Sequence, residues 1–94
     1  MPRFLVDRVW DPMDEVAMNE KAALSARLIE AQFPDIVWEH SHVVMDDEGV
    51  VHTFCVYEAP NTDRVREHAG ALGQHKIRSI VEIAGDISPL DYPA

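Results

Sequence analysis

Three of the five histidines and the only cysteine lie between residues 40 and 55 of this 94-residue chain. Imidazole and thiolate groups are ligands of nickel, copper and zinc, and carboxylates or water can complete the coordination of these metals. His40 and His42 are two positions apart, so in a β-strand their side chains leave the same face. This spacing, with Cys55 nearby, predicts a transition-metal site if neighbouring strands bring the residues together.

The residues around this group have the pattern of a β-hairpin. Two segments, 37–45 and 50–57, are rich in β-branched and aromatic side chains. The acidic sequence Asp46-Asp47-Glu48-Gly49 between them is typical of a solvated turn. A turn of these four residues pairs Met45 with Val50. Counting back along both strands, this register places the two imidazoles and the thiol on one face of the sheet, away from the helices.

The predicted metal ligands are His40, His42, Cys55 and Asp7. In this register His40 lies opposite Cys55, and directly opposite side chains are about 5 Å apart. Asp7 falls inside the first predicted strand and adds a carboxylate from a neighbouring strand, although a solvent-side charge is the alternative interpretation. His52 is expected to point toward the helices or the edge of the sheet. A slip of one residue in the hairpin would move Cys55 to the helix side and break the group.

The periodicity outside the hairpin predicts two more strands and two helices. Residues 3–10 and 76–84 alternate as strands, whereas apolar residues recur at helical spacing in two other segments. The first helix is expected to begin at Asp11-Pro12 and to end before the next proline. The second helix is expected to begin after an Asn61 N-cap and to run through Leu72.

The resulting order, β-α-β-β-α-β, is that of the ferredoxin-like α+β sandwich. We therefore predict a four-stranded antiparallel sheet with two helices on one face, formed by residues 1–84, and a C-terminal tail at 85–94. His68 lies on the apolar stripe of the second helix, which indicates a buried histidine bonded to the backbone. The other sheet face is left uncovered, and a chain this short buries only a thin core. A homodimer through that sheet face is therefore expected.

The charge and composition exclude several classes of function. The chain carries 17 acidic against 8 basic side chains, for a net charge of −9. Binding to nucleic acid or to an anionic membrane requires a basic surface, so neither partner is expected. A single cysteine, the absence of a leader-like N-terminus and the absence of an apolar run of transmembrane length predict a cytoplasmic protein in a reducing compartment.

Three segments resemble those of a known family. They are the opening Met-Pro-Arg-Phe-Leu-Val-Asp-Arg, the strand from Trp38, which is similar to the pattern W-x-x-S-Y-V, and the run Cys55-Val-Tyr-Glu-Ala-Pro, which is the most specific. On these residues the chain resembles a family of small bacterial ferredoxin-like domains of unknown function that includes an actinobacterial nickel-binding protein. The chain departs from the family pattern at His42, where the family has tyrosine, and at Gln74-His75.

The resemblance implies a ferredoxin-like sandwich that dimerises, and nickel as the metal. The leading hypothesis is a small dimeric nickel-binding protein for storage, buffering or sensing, with zinc or copper as the other metals that the residues suit. The family is also similar in architecture to dimeric α-β barrel proteins, some of which are monooxygenases. One alternative is therefore an enzyme acting on a small organic substrate in a cleft lined by His68, Tyr57 and Trp10. A metal-free interaction module is the other alternative.

Overall fold

The structure, a computed structural model, describes residues 1–92. Its elements follow the predicted order, and the ferredoxin-like α+β fold is confirmed. In chain order they are β1 (Arg3–Trp10), α1 (Glu15–Gln32), β2 (Val37–Met45), β3 (Val51–Glu58), α2 (Thr62–Leu72), β4 (His75–Glu82) and a short 3-10 helix (Pro89–Asp91). None of the helices in this part of the chain combines the length and apolarity that a membrane span requires.

The four strands form one antiparallel sheet with the order β2-β3-β1-β4. Because side chains alternate along each strand, the sheet has two different faces. One face, here called the helix side, packs against α1 and α2 and forms the hydrophobic core. The core consists of buried residues from β1, β3, α2 and the adjoining loops: Phe4, Val6, Phe33, Ile36, Cys55, Tyr57, Ala59 and Val65.

The start of α1 differs from the prediction, whereas the start of α2 agrees with it. Helix α1 begins at Glu15, and its N-cap is Asp14, whose carboxylate accepts the Ala17 N–H at 2.8 Å. The predicted start at Asp11-Pro12 is therefore wrong. The Asp11 N–H instead donates to the carbonyl of Gln74 at 3.0 Å, which holds this residue beside β4. The N-cap of α2 is confirmed, since the Asn61 side chain accepts a backbone N–H at 2.9 Å.

The hairpin of β2 and β3 forms as predicted, but its register differs by one residue. Met45 pairs with Val51 because Val50 belongs to the turn. The Val50 N–H donates to the Asp46 carboxylate at 2.9 Å, and the Val50 carbonyl accepts the Asp46 N–H at 3.0 Å. Gly49 has a φ of 81° inside this turn, a conformation that glycine adopts without strain. The acidic turn therefore contains one residue more than predicted.

The extra turn residue changes which side chains face each other. Ser41, and not His40, lies opposite Cys55, and His40 pairs with Val56. A register irregularity between Trp38 and His40 restores the predicted pairing at the start of β2, where Trp38 lies opposite Tyr57. Cys55 and Trp38 consequently share the helix side, whereas His40 faces the other way. The predicted register is wrong.

Candidate functional site

The uncovered side of the sheet, here called the open face, carries the histidine pair. In all four strands, residues that pair directly share a face, and this assigns side chains of every strand to the open face. They include Leu5, Asp7, Val9, His40, His42, Val44, His52, Phe54, Val56 and Val81.

His40 and His42 lie next to each other on the open face, as predicted. Their ring centres are 5.3 Å apart with an interplanar angle of 79°, and both side chains are exposed. Two imidazoles bound to one metal ion at adjacent positions have ring centres about 4.5–5.5 Å apart, because each metal–nitrogen bond is about 2.1 Å long. The distance between the two ring centres therefore lies in the range expected for two imidazole ligands of one ion.

Cys55 is not beside this pair. It is buried in the core, with 3% of its surface exposed, among Phe4, Val6 and Tyr57 on the helix side. The sheet itself separates its thiol from the two imidazoles. The slip of one residue that the turn introduces is the cause, since it reverses the face to which every paired residue of β3 belongs relative to β2. The prediction that Cys55 shares a face with the histidines is wrong.

Asp7 is on the open face, but its carboxylate is already engaged. His52 also points to this face, in contrast to the prediction that it faces the helices or the edge. Its Nδ1 lies 3.2 Å from Asp7 Oδ1, and its Nε2 lies 3.0 Å from Asp46 Oδ2. The carboxylate of Asp46, followed by that of Asp7, raises the pKa of His52, because both carboxylates stabilise the protonated ring. This ion-paired cluster uses the oxygens that a metal would otherwise take.

The His52 cluster predicts a loss of stability at higher pH. The folded-state pKa of His52 lies above the ordinary value of 6.5, so its contribution is fully present below that value and is lost as the pH rises through the raised pKa. We expect urea unfolding of the wild type to show this loss, and a His52→Gln variant to lack it. A His42→Gln variant on the same face is the control, and a pH dependence above 6.5 that is unchanged in His52→Gln would contradict the assignment.

The two imidazoles have no third candidate metal ligand beside them among residues 1–92. Among residues 1–92 no group of three or more histidine, cysteine, aspartate or glutamate side chains is arranged to hold a metal ion. Two imidazoles alone leave at least two positions open for a tetrahedral or larger coordination shell. The geometry therefore offers an incomplete, solvent-accessible pair of ligands on the open face of the sheet.

The helix side contains a second polar group, centred on an arginine that the sequence analysis did not single out. Arg8 is only 1% exposed, and its guanidinium reaches the ring nitrogens of His75 at 2.8 Å and His68 at 3.3 Å. A signal existed in the sequence, because Arg8 continues the alternating series of Phe4 and Val6 toward the core. An arginine at such an inward position of a strand is uncommon and indicates a buried polar group.

His68 is buried, as predicted, but its partners are side chains and not the backbone. Its Nε2 lies 3.2 Å from Ser25 Oγ on α1, and its ring packs edge-on against Phe33 and Tyr57. Burial, together with the adjacent Arg8 charge, lowers the pKa of His68 to about 4. The imidazole is therefore neutral near pH 7, and it accepts from Arg8 at Nδ1 while donating to Ser25 from Nε2.

The open four-stranded sheet and the two helices on its other face define a small ferredoxin-like α+β domain, with two adjacent imidazoles on the uncovered face. The family model described as nickel responsive protein SCO4226-like matches residues 4–83, and the chain belongs to this family. The family name supports a metal-related role. A search of the curated proteins finds no match.

Proposed function

We propose that this protein binds nickel through His40 and His42 and does so as a homodimer. The observation that carries the proposal is the adjacent imidazole pair, whose ring centres are 5.3 Å apart on the open face. Membership of a nickel-responsive family supports nickel over zinc or copper. In this proposal each chain would hold the nickel ion through one nitrogen atom of each imidazole.

The incomplete ligand set supports the dimer. In a two-fold dimer each chain presents the same patch to its partner, so ligands that one chain lacks can come from the other chain. The open face is also apolar enough to be covered: Leu5, Val44 and Val81 are 37%, 40% and 53% exposed there. Burying such side chains stabilises association by about 25 cal/mol per Å2 of apolar surface.

The tail supports the same interface. After β4, Asp86 forms an ion pair with Arg3 at the start of β1, which holds the first part of the tail against the domain. Beyond this point Ile87 and Leu90 are 82% and 91% exposed. Apolar side chains of this size gain most by packing against another chain.

The experiment is a nickel titration by calorimetry, combined with sedimentation velocity, on the wild type and a Val81→Glu variant. Val81 lies on the open face opposite Leu5, and its exposure lets the separate chain tolerate a charge there. We expect a nickel-binding dimer for the wild type. The variant is expected to be monomeric and to bind nickel at least about tenfold more weakly, since a glutamate buried in the contact is strongly unfavourable.

Val16→Glu is the matched control. Val16 is 66% exposed on α1, away from the open face, so the same change of charge there is expected to leave both the dimer and the nickel affinity intact. Absence of nickel binding by the wild type would refute the proposed function. If Val81→Glu is a monomer that binds nickel as tightly as the wild type, the metal site does not depend on the dimer.

A further inference from the structure

A cavity of about 190 Å3 lies between the helix side of the sheet and helix α1. It is separate from the histidine pair, which is on the opposite face. Most of its lining is apolar, and these apolar residues come from α1, α2 and two strands, β1 and β2: Trp10, Met18, Ala22, Trp38, Val43 and Leu72. Ligand sites in proteins are typically such concave apolar spaces with a few converging polar groups.

Arg8 and Lys21 are the charged residues of the cavity wall, and the buried charge of Arg8 has no counterion. Its guanidinium bonds only to neutral acceptors, which are Tyr57 Oη at 3.2 Å, His68 Nδ1 and His75 Nε2. Within residues 1–92 no carboxylate forms an ion pair with it. Its Nε is buried and has no hydrogen-bond partner. A buried charge left unpaired is costly, so this arrangement favours an anion that binds beside it.

The other polar groups of the cavity wall also have hydrogens to donate. Trp10 Nε1–H donates to Thr53 Oγ1 at 2.8 Å, and His68 donates to Ser25 Oγ, so both hydroxyl groups keep their own hydrogen for a further acceptor. Tyr57 Oη accepts from Arg8 and likewise keeps its hydrogen. Burial raises the pKa of the Tyr57 phenol, which therefore remains protonated. These three hydroxyl donors therefore lie in the cavity wall with the guanidinium of Arg8, which has no counterion.

We propose that this cavity binds a small organic carboxylate with an aromatic or branched apolar body, whose carboxylate is held by Arg8 and the hydroxyl group of Tyr57. The planar guanidinium matches a carboxylate in geometry as well as in charge. The volume suits this class of ligand, because a cavity of about 150 Å3 holds benzene. The apolar body lies against the tryptophan, methionine and leucine side chains of the lining.

Intrinsic fluorescence provides a direct measurement. The chain has two tryptophans, Trp10 and Trp38, and both line the cavity. We expect sodium benzoate to produce a saturable change in tryptophan emission. Benzamide has the same shape without the charge and is expected to bind at least about tenfold more weakly, since hydrogen bonds to charged groups are the stronger ones. Inorganic phosphate is expected to compete poorly, because it lacks the apolar body.

Variants test the anchor. Arg8→Met keeps the volume of the side chain and is expected to weaken benzoate binding at least about tenfold. Arg66→Met removes an exposed arginine of α2 and is the matched control, with unchanged binding expected. Tyr57→Phe removes one donor but keeps the packing, and a reduction of about threefold to tenfold is expected. If Arg8→Met fails to fold, the benzoate affinity of Tyr57→Phe tests the proposed carboxylate site.

The proposal is overturned if wild-type emission shows no saturable response to millimolar benzoate. It is overturned equally if benzamide or phosphate binds as tightly as benzoate, or if Arg8→Met and Tyr57→Phe bind benzoate like the wild type. The paired variant His40→Ala/His42→Ala is expected to retain benzoate binding. Failure of the anion site and failure of the nickel site are therefore distinguished by separate ligands and separate variants.

Discussion

Replacing His40 and His42 together by alanine is expected to weaken nickel binding at least about a hundredfold. The two imidazoles lie adjacent on the open face and are the proposed nitrogen ligands, and loss of a group that merely supports a ligand already costs about 10–100-fold in metal affinity. Both side chains are exposed, so the substitution removes no core contact. Calorimetric titration of nickel into the purified variant measures the effect.

The matched control is His52→Ala. It removes a third imidazole from the same face, but one that is held between Asp7 and Asp46 instead of lying free beside the pair. Nickel affinity close to that of the wild type is expected. If the double variant keeps wild-type affinity while the His52 variant loses it, the assignment of the metal site to His40 and His42 is wrong.

The second large effect concerns the stability of the domain in acid. Because burial lowers the folded-state pKa of His68 to about 4, the unfolded chain takes up a proton on this residue before the folded chain does. The stabilising contribution is therefore fully present above pH 6.5 and is lost as the pH falls through the folded-state pKa. A difference between 6.5 and about 4 corresponds to about 3 kcal/mol in the free energy of unfolding.

A His68→Asn variant isolates this contribution. Asparagine can still accept from Arg8 but does not titrate, so the difference in unfolding free energy between wild type and variant is expected to shrink by about 3 kcal/mol between pH 6.5 and pH 4. Urea unfolding at a series of pH values measures it. The exposed His40→Asn substitution is the control, and parallel curves for wild type and His68→Asn across this range would contradict a neutral buried imidazole.

Much of the fold followed from local signals. The exact span of β1, the Asn61 N-cap and the end of α2 at Leu72 depend on short-range patterns of alternation and capping, which the sequence displays directly. The predicted start of α1 at Asp11-Pro12 was wrong. Asp14 is the N-cap, and the Asp11 N–H is held by a residue that is distant in the chain, through its hydrogen bond to the carbonyl of Gln74.

The grouping of His40 and His42 on one face was predicted correctly, but the position of Cys55 was not. The reason for the difference is local. His40 and His42 share a face in any register, because their relation depends only on the period of a strand. Their relation to Cys55 depends on the length of the turn. The Asp46 carboxylate bonds to the N–H groups of Glu48 and Val50 and draws an additional residue into the turn. Because Val50 belongs to the turn, Cys55 pairs with Ser41 and its thiol lies in the core.

The sequence by itself determined the order of the elements, the strongly acidic charge, the family and the pairing of the two imidazoles, since all of these depend on composition or on neighbouring positions. The tertiary structure alone decided which residues meet across strands and layers. It placed His52 between two carboxylates, buried Cys55 and set an unpaired Arg8 beside a cavity. These arrangements arise from packing residues that are distant in the chain, and no local pattern encodes their distances.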